Sequence, residues 1–127
     1  MPAAPEARGP ADLPPEVRRG LELFNEGFFH EAHEEIEESW KTFPKGHPTR
    51  VFFQGLIQAA VAMHHHRRGK PGPALTMLAR ARTKLLTAPA THFGIDVARL
   101  LRDLDRCEEL FPDPERTKID YPSIRFE

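Results

Sequence analysis

Between Pro48 and His66 the chain is apolar at Val51, Phe52, Phe53, Leu56, Ile57, Ala59, Ala60, Val61 and Met63. Wound as a helix, that stretch is apolar almost all the way round, so it has no broad solvent face and must be central and buried. Everything else has to pack around it. Its one polar stripe is Gln54, Gln58 and His65, which fall on the same side at offsets of four and seven residues. If the helix is central, those three side chains need hydrogen-bonding partners.

The 3.6-residue period predicts four further helices. Pro14 and Pro15 suit a helix's first turn, and Val17, Leu21, Phe24 and Phe28 follow at helical spacing until Gly27 interrupts. From Phe29 to Phe43 a narrow stripe of Phe29, Ala32, Ile36, Trp40 and Phe43 runs between glutamates, and Pro44, Gly46 and Pro48 form the next connection. After Gly69-Lys70-Pro71-Gly72, a fourth helix from Pro73 to about Thr87 carries Ala74, Leu75, Leu78, Ala81 and Leu85 inward, and Pro89 ends it. Asp96 is placed to N-cap a fifth helix, with Ile95 and Leu100 as a hydrophobic staple and Val97, Leu101, Leu104 and Phe111 as its stripe. Pro112 and Pro114 stop it.

Gly27, Ala32, Ile36 and Ser39 are echoed forty-two residues later by Gly69, Ala74, Leu78 and Ala81. A glycine closing each interhelical turn, with a small residue one turn into the next helix, is how tetratricopeptide-like hairpins bring two helices close. The expected fold is therefore all-α, a small bundle of two helical hairpins plus a fifth helix. Five of the thirteen prolines lie in the first fifteen residues, so residues 1–12 read as a flexible lead-in, 13–111 as one helical domain and 112–127 as an extended tail.

Composition narrows the functional classes. A net charge of -1 gives no overall field toward nucleic acid or an anionic membrane. Cys107 is the only cysteine, so no intramolecular disulfide forms and a zinc site could have at most one thiolate, which suits a reducing cytoplasm. The opening MPAAPEARGPADLPPE has charges and prolines where a signal peptide needs an apolar run, and no stretch approaches the roughly 18 apolar residues of a membrane span. A cytoplasmic protein with no membrane partner is expected. No Gly-x-Ser-x-Gly elbow or phosphate-binding glycine loop occurs, and Cys107 falls on the core-facing stripe of the fifth helix, where a thiol is inert packing.

Charge is segregated along the chain. Glu22 to Glu38 holds seven glutamates and no lysine or arginine, whereas Lys41 to Ile95 holds nine basic residues and no acid. Complementarity between an acidic second helix and basic later ones accounts for this. An RNA surface on Arg67, Arg68, Lys70, Arg80 and Lys84 is the rival reading, disfavoured because no aromatic stacking platform accompanies them.

Chemistry concentrates on the second helix. His30, His33, Glu34 and Glu37 project from one side of it within about 100 degrees of arc. Their nitrogens and carboxylates are ligands that zinc, manganese or iron accept, so a divalent metal is the one cofactor candidate, although none is predicted. The spacing is neither that of the zincins nor the Glu-x-x-His of di-iron bundles. His33, at the edge of the apolar stripe, is expected to be largely buried with Trp40. Gln54, Gln58 and His65 should then face the His and Glu side of the second helix across a polar pocket.

Phe24-Asn-Glu-Gly27-Phe-Phe-His-Glu31-Ala32-His33-Glu34-Glu-Ile-Glu-Glu-Ser-Trp40, followed by Phe53-Gln54-Gly55-Leu56-Ile57-Gln58-Ala-Ala-Val-Ala-Met-His64-His65 and an Arg-Gly-Lys turn, resembles a bacterial and archaeal family known as domain of unknown function 309. The resemblance spans about residues 17–105 and rests chiefly on Glu-Ala-His-Glu with a tryptophan six residues beyond. It implies a small helical bundle, and a polar set of Glu31, His33, Glu34, Gln54, Gln58 and His65. The chain departs from the family pattern at His64, where an aromatic is expected, and at Lys70, where asparagine is expected, while His30 and Glu37 lie outside the motif. The family carries no assigned activity. The first functional expectation is a non-catalytic module binding a protein or small ligand in the pocket of Glu31, His33, Glu34, Trp40, Gln54, Gln58 and His65. A metal-dependent enzyme built on His30, His33, Glu34 and Glu37 ranks second and an RNA-associated protein third; the partner's identity and the oligomeric state are not specified by the residues.

Overall fold

A computed structural model describes residues 7–116 and 119–127, in which five α-helices surround one core: α1 (Pro15–Asn25), α2 (Phe29–Trp40), α3 (Pro48–Arg67), α4 (Pro71–Leu85) and α5 (Val97–Leu110). Between α4 and α5 lies a hairpin of two short antiparallel strands, β1 (Thr91–His92) and β2 (Ile95–Asp96). The apolar run is α3, and it is central. Phe52, Phe53, Leu56, Ala59, Ala60, Ala62 and Met63 are each at most 1% exposed. Its α2 side and its α4 side are both covered, while α1 packs on α2 and α5 on α4.

Both helical hairpins close the same way. Gly27 and Gly69 hold φ of 87° and 75°, a left-handed backbone that glycine adopts without a Cβ clash. Gly27 N–H donates to Phe24 O and Phe28 N–H to Leu23 O; Gly69 N–H donates to His66 O and Lys70 N–H to His65 O. These are two Schellman caps, each satisfying carbonyls that the helix end leaves orphaned. Downstream, Ala32, Ile36 and Ser39 of α2 are buried like Ala74, Leu78 and Ala81 of α4, as the repeat requires. Two glycines absent from the echo set the interhelical distance. A Cβ on Gly20 would sit 2.4 Å from Ile36 Cγ1, and one on Gly55 would sit 3.0 Å from Leu85.

The element ends differ in detail from the periodic reading. α2 stops at Trp40, leaving Phe43 in the connection, where its ring packs 5.8 Å from that of Phe53. α4 starts at Pro71, since proline is as well suited to the first turn there as at 73. Phe28 precedes α2 and is 50% exposed, so it does not extend the α1 stripe. The β1–β2 hairpin is a feature the sequence reading lacks. Its turn places both Phe93 (φ 55°) and Gly94 (φ 76°) in the left-handed region, and a phenylalanine gives no signal for that.

The ends of the described chain are tied to this hairpin. Of the expected lead-in, residues 1–6 lie outside the described residues; Phe93 N–H donates to Arg8 O at 2.7 Å and Arg8 N–H donates to His92 Nδ1 at 3.1 Å. On the other side Asp96 N–H donates to Arg125 O, and the Asn25 side chain clasps the backbone of Ile124 in both directions, at 2.9 and 2.7 Å. His66, stacked on Phe111 at 4.2 Å, pairs through Nδ1 with the Tyr121 hydroxyl at 2.8 Å.

Candidate functional site

Helices α2 and α3 run antiparallel and meet along a polar seam. Two contacts fix its ends: the His30 and His64 rings lie 5.4 Å apart, and the Arg50 guanidinium sits 4.1 Å above the Trp40 ring. Helix periodicity explains which residues enter it. On α2, Phe29, Ala32, Ile36 and Ser39 point to the core, with Ser39 Oγ donating to Glu16 Oε2 on α1. His30, His33, Glu37 and Trp40 occupy the flank that meets α3. On α3, Arg50, Ile57 and His64 recur every seven residues on the facing line, with Gln54 beside it at the Arg50 end, whereas Gln58, one residue on from Ile57, turns about 100 degrees away.

Of the expected pocket residues, Gln58 is buried, at 9% exposure. Trp40, Gln54 and His65 are half-buried, and so is His33, less enclosed than the sequence suggested. Glu31 and Glu34 are exposed. Glu34 engages His30 Nε2 at 3.4 Å along the helix surface, and Glu37 engages His33 Nε2 at 3.2 Å. The sequence reading chose His65 for the contact with α2, whereas His64 makes it. The seven-residue recurrence of Arg50, Ile57 and His64 was the available signal, and the triple histidine obscured it.

Four candidate metal ligands, His30, His33, Glu34 and Glu37, are thus arranged as two His–Glu pairs along α2. Among the described residues no three His, Cys, Asp or Glu side chains converge on a point that could hold a metal ion. The acids of α2 also do not reach across to the basic helices. Glu38 pairs with Lys41, while Arg50 and Arg67 meet α2 through the faces of Trp40 and Phe29, and Arg82 of α4 turns instead to Asp105 and Glu108 of α5.

The seam's distinctive property is unsatisfied polarity. Trp40 Nε1 and His64 Nδ1 are buried atoms with no hydrogen-bond partner among the described residues, as is Gln58 Oε1 farther round α3. His64 is held below its ordinary titration range by burial first, then by the neighbouring charges of His30, Arg68, Arg67 and His65. Its imidazole is therefore neutral at pH 7 and can offer Nδ1 as a donor or an acceptor according to its tautomer. At the Trp40 end the seam opens into a recess of about 250 Å3 lined by Trp40, Lys45, Gly46, Arg50, Val51 and Gln54.

Residues 17–77, which take in most of α1, the whole seam and the first turns of α4, match the model of the family described as Domain of unknown function (DUF309). The match covers just under half of the chain, through the helices that form the seam. An uncharacterised protein of Aquifex aeolicus (strain VF5) is 31% identical over 77 residues, 61% of this chain and 23% of that protein. The uncharacterised protein YpuF of Bacillus subtilis (strain 168) is 37% identical over 76 residues, 58% of this chain and 42% of that protein. The chain thus spans less than half the length of these two relatives. Among the described residues no helix is long and apolar enough to cross a membrane.

Proposed function

We propose that this protein is a non-catalytic binding module that takes a small polar ligand, or a polar segment of a partner, into the α2–α3 seam. The carrying observation is that two buried polar atoms, Trp40 Nε1 and His64 Nδ1, lie at the two ends of one interface with no hydrogen-bond partner among the described residues. A buried donor or acceptor without a partner costs about 1–3 kcal/mol, and native cores avoid leaving several together. A ligand that supplies the missing partners recovers that cost on binding. The relatives support the modular part of this reading, because their similarity to this chain covers only 23% and 42% of their lengths.

Catalysis has little to work with. The Cys107 thiol is pushed up to about 11 by burial, so it holds no thiolate at neutral pH. A metal-dependent reaction would require His30, His33, Glu34 and Glu37 to leave their pairs and converge. The lone buried thiol also fits a cytoplasmic setting.

Trp40 is the only tryptophan, so its indole N–H gives one isolated signal in a proton–nitrogen correlation spectrum. Titrating small amides, carboxylic acids and short peptides against labelled protein tests the proposal. The expected result is a compound that shifts the Trp40 indole signal and the His64 ring signals together, with a saturable dependence. A chemically broad set that moves neither signal contradicts the binding seam.

A further inference from the structure

The recess at the Trp40 end of the seam carries two cations, the half-buried Arg50 and the exposed Lys45, and among the described residues no acid lines it. Neither cation has an acidic partner within ion-pair distance among the described residues. A half-buried guanidinium left without an anion is unusual, because the desolvated charge is costly unless compensated. Arg50 is nevertheless held in place. Nη1 donates to Phe43 O at 2.6 Å and the guanidinium face rests on the Trp40 ring at 4.1 Å, which orients the group while leaving its other N–H donors for a ligand.

The remaining polar lining is donor-rich. The Gln54 amide borders the recess, while Trp40 Nε1–H is enclosed behind it with no acceptor among the described residues. Val51 and the indole supply apolar wall. We propose that this recess binds a small organic carboxylate. Arg50 and Lys45 take the anion, and its hydrocarbon part lies against Val51 and the indole ring. One planar anion with two acceptor oxygens matches one partly engaged guanidinium and one ammonium. The apolar wall of Val51 and the indole has a counterpart in the hydrocarbon part of an organic carboxylate and none in inorganic phosphate. The assignment rests on the seam being a ligand site and names the ligand class at that end of it.

Trp40 emission reads the recess directly. N-Acetylglycine is the probe, N-acetylglycinamide its uncharged control and inorganic phosphate the rival anion, all at constant ionic strength. The expected result is saturable binding of N-acetylglycine, about tenfold or more weaker binding of the amide, and no saturable response to phosphate. Arg50→Gln should weaken the acid about tenfold or more through loss of a charge-assisted bond, with far less effect on the amide. Lys45→Gln, at an exposed loop position that leaves the fold intact, should weaken it several-fold. Equal binding of acid and amide overturns the carboxylate assignment but leaves a neutral-ligand seam standing, as does tighter binding of phosphate or indifference to both substitutions. If N-acetylglycine does not bind, this inference fails; if the broader titration also leaves the Trp40 and His64 signals unmoved, the seam reading fails with it.

Discussion

Three histidines, His64, His66 and His92, are held below their ordinary titration range, with burial the first cause in each. For His66 a hydrogen bond to the Arg116 backbone works in the opposite direction, while Arg8 adds to the lowering at His92. A histidine that resists protonation in the folded state contributes stability that is present above its unfolded pKa, near 6.5. As pH falls below that value the unfolded chain binds protons that the folded chain refuses, and the stability is lost. Melting temperature should therefore decline between pH 7 and pH 5 from this source, and the ring protons of these three histidines should titrate below the ordinary histidine value. A melting temperature that rises on acidification would contradict this account of their burial. At this scale the sequence was only partly legible. Offsets of four and seven put Gln54, Gln58 and His65 on one side of α3, but helical phase decides between His64 and His65 for the contact with α2, and a single-residue difference in phase turns a side chain by about 100 degrees. Arg50 and Lys45 escaped notice because a solvated charge and a ligand-binding one look alike until the surrounding lining is known.

At the scale of elements, the paired Schellman turns carry the hairpin repeat. Gly27→Val and Gly69→Val put a β-branched side chain into a left-handed backbone with φ of 87° and 75°. Each should destabilise the fold by about 1–2 kcal/mol, measured by chemical denaturation, and two unchanged midpoints would remove the basis of the repeat. The close α1–α2 approach is tested at a different glycine. The Gly20 Cβ position lies 2.4 Å from Ile36 Cγ1 and 3.1 Å from the Ala32 carbonyl oxygen, so Gly20→Ala should cost about 1–3 kcal/mol by overpacking although alanine is the better helix former. A stabilised Gly20→Ala variant would show that the two helices separate freely. Gly27 and Gly69 were readable because a glycine between two apolar stripes has few other uses. Gly20 and Gly55 were not, because a glycine inside a helix declares a close neighbour without naming it. The β1–β2 hairpin stayed hidden for a related reason, since its strands are two residues each and tertiary contacts through His92 and Phe93 hold the turn.

At the scale of the whole molecule, the all-round apolar character of α3 was enough to predict a helical bundle with that helix at its centre. The amphipathic stripes supplied the four others. The tethering of the chain ends was less accessible, because partners such as Asn25 and Ile124 lie 99 residues apart and share no local pattern. The bundle also shows why a site can form where it does: α3 is long enough to be polar on one line without losing its core contacts, and α2 presents its polar flank to that line. The central claim is that Trp40 and His64 are polar for a ligand and not for the fold. His64→Phe tests it most directly, since phenylalanine is close in size and removes the buried Nδ1 that has no partner among the described residues. The account predicts that thermal unfolding of His64→Phe occurs at an equal or higher temperature, by up to a few degrees for about 1 kcal/mol, while the response of the Trp40 signal to ligand is weakened. A melting temperature lowered by several degrees would show that His64 holds the bundle together, and would contradict the claim.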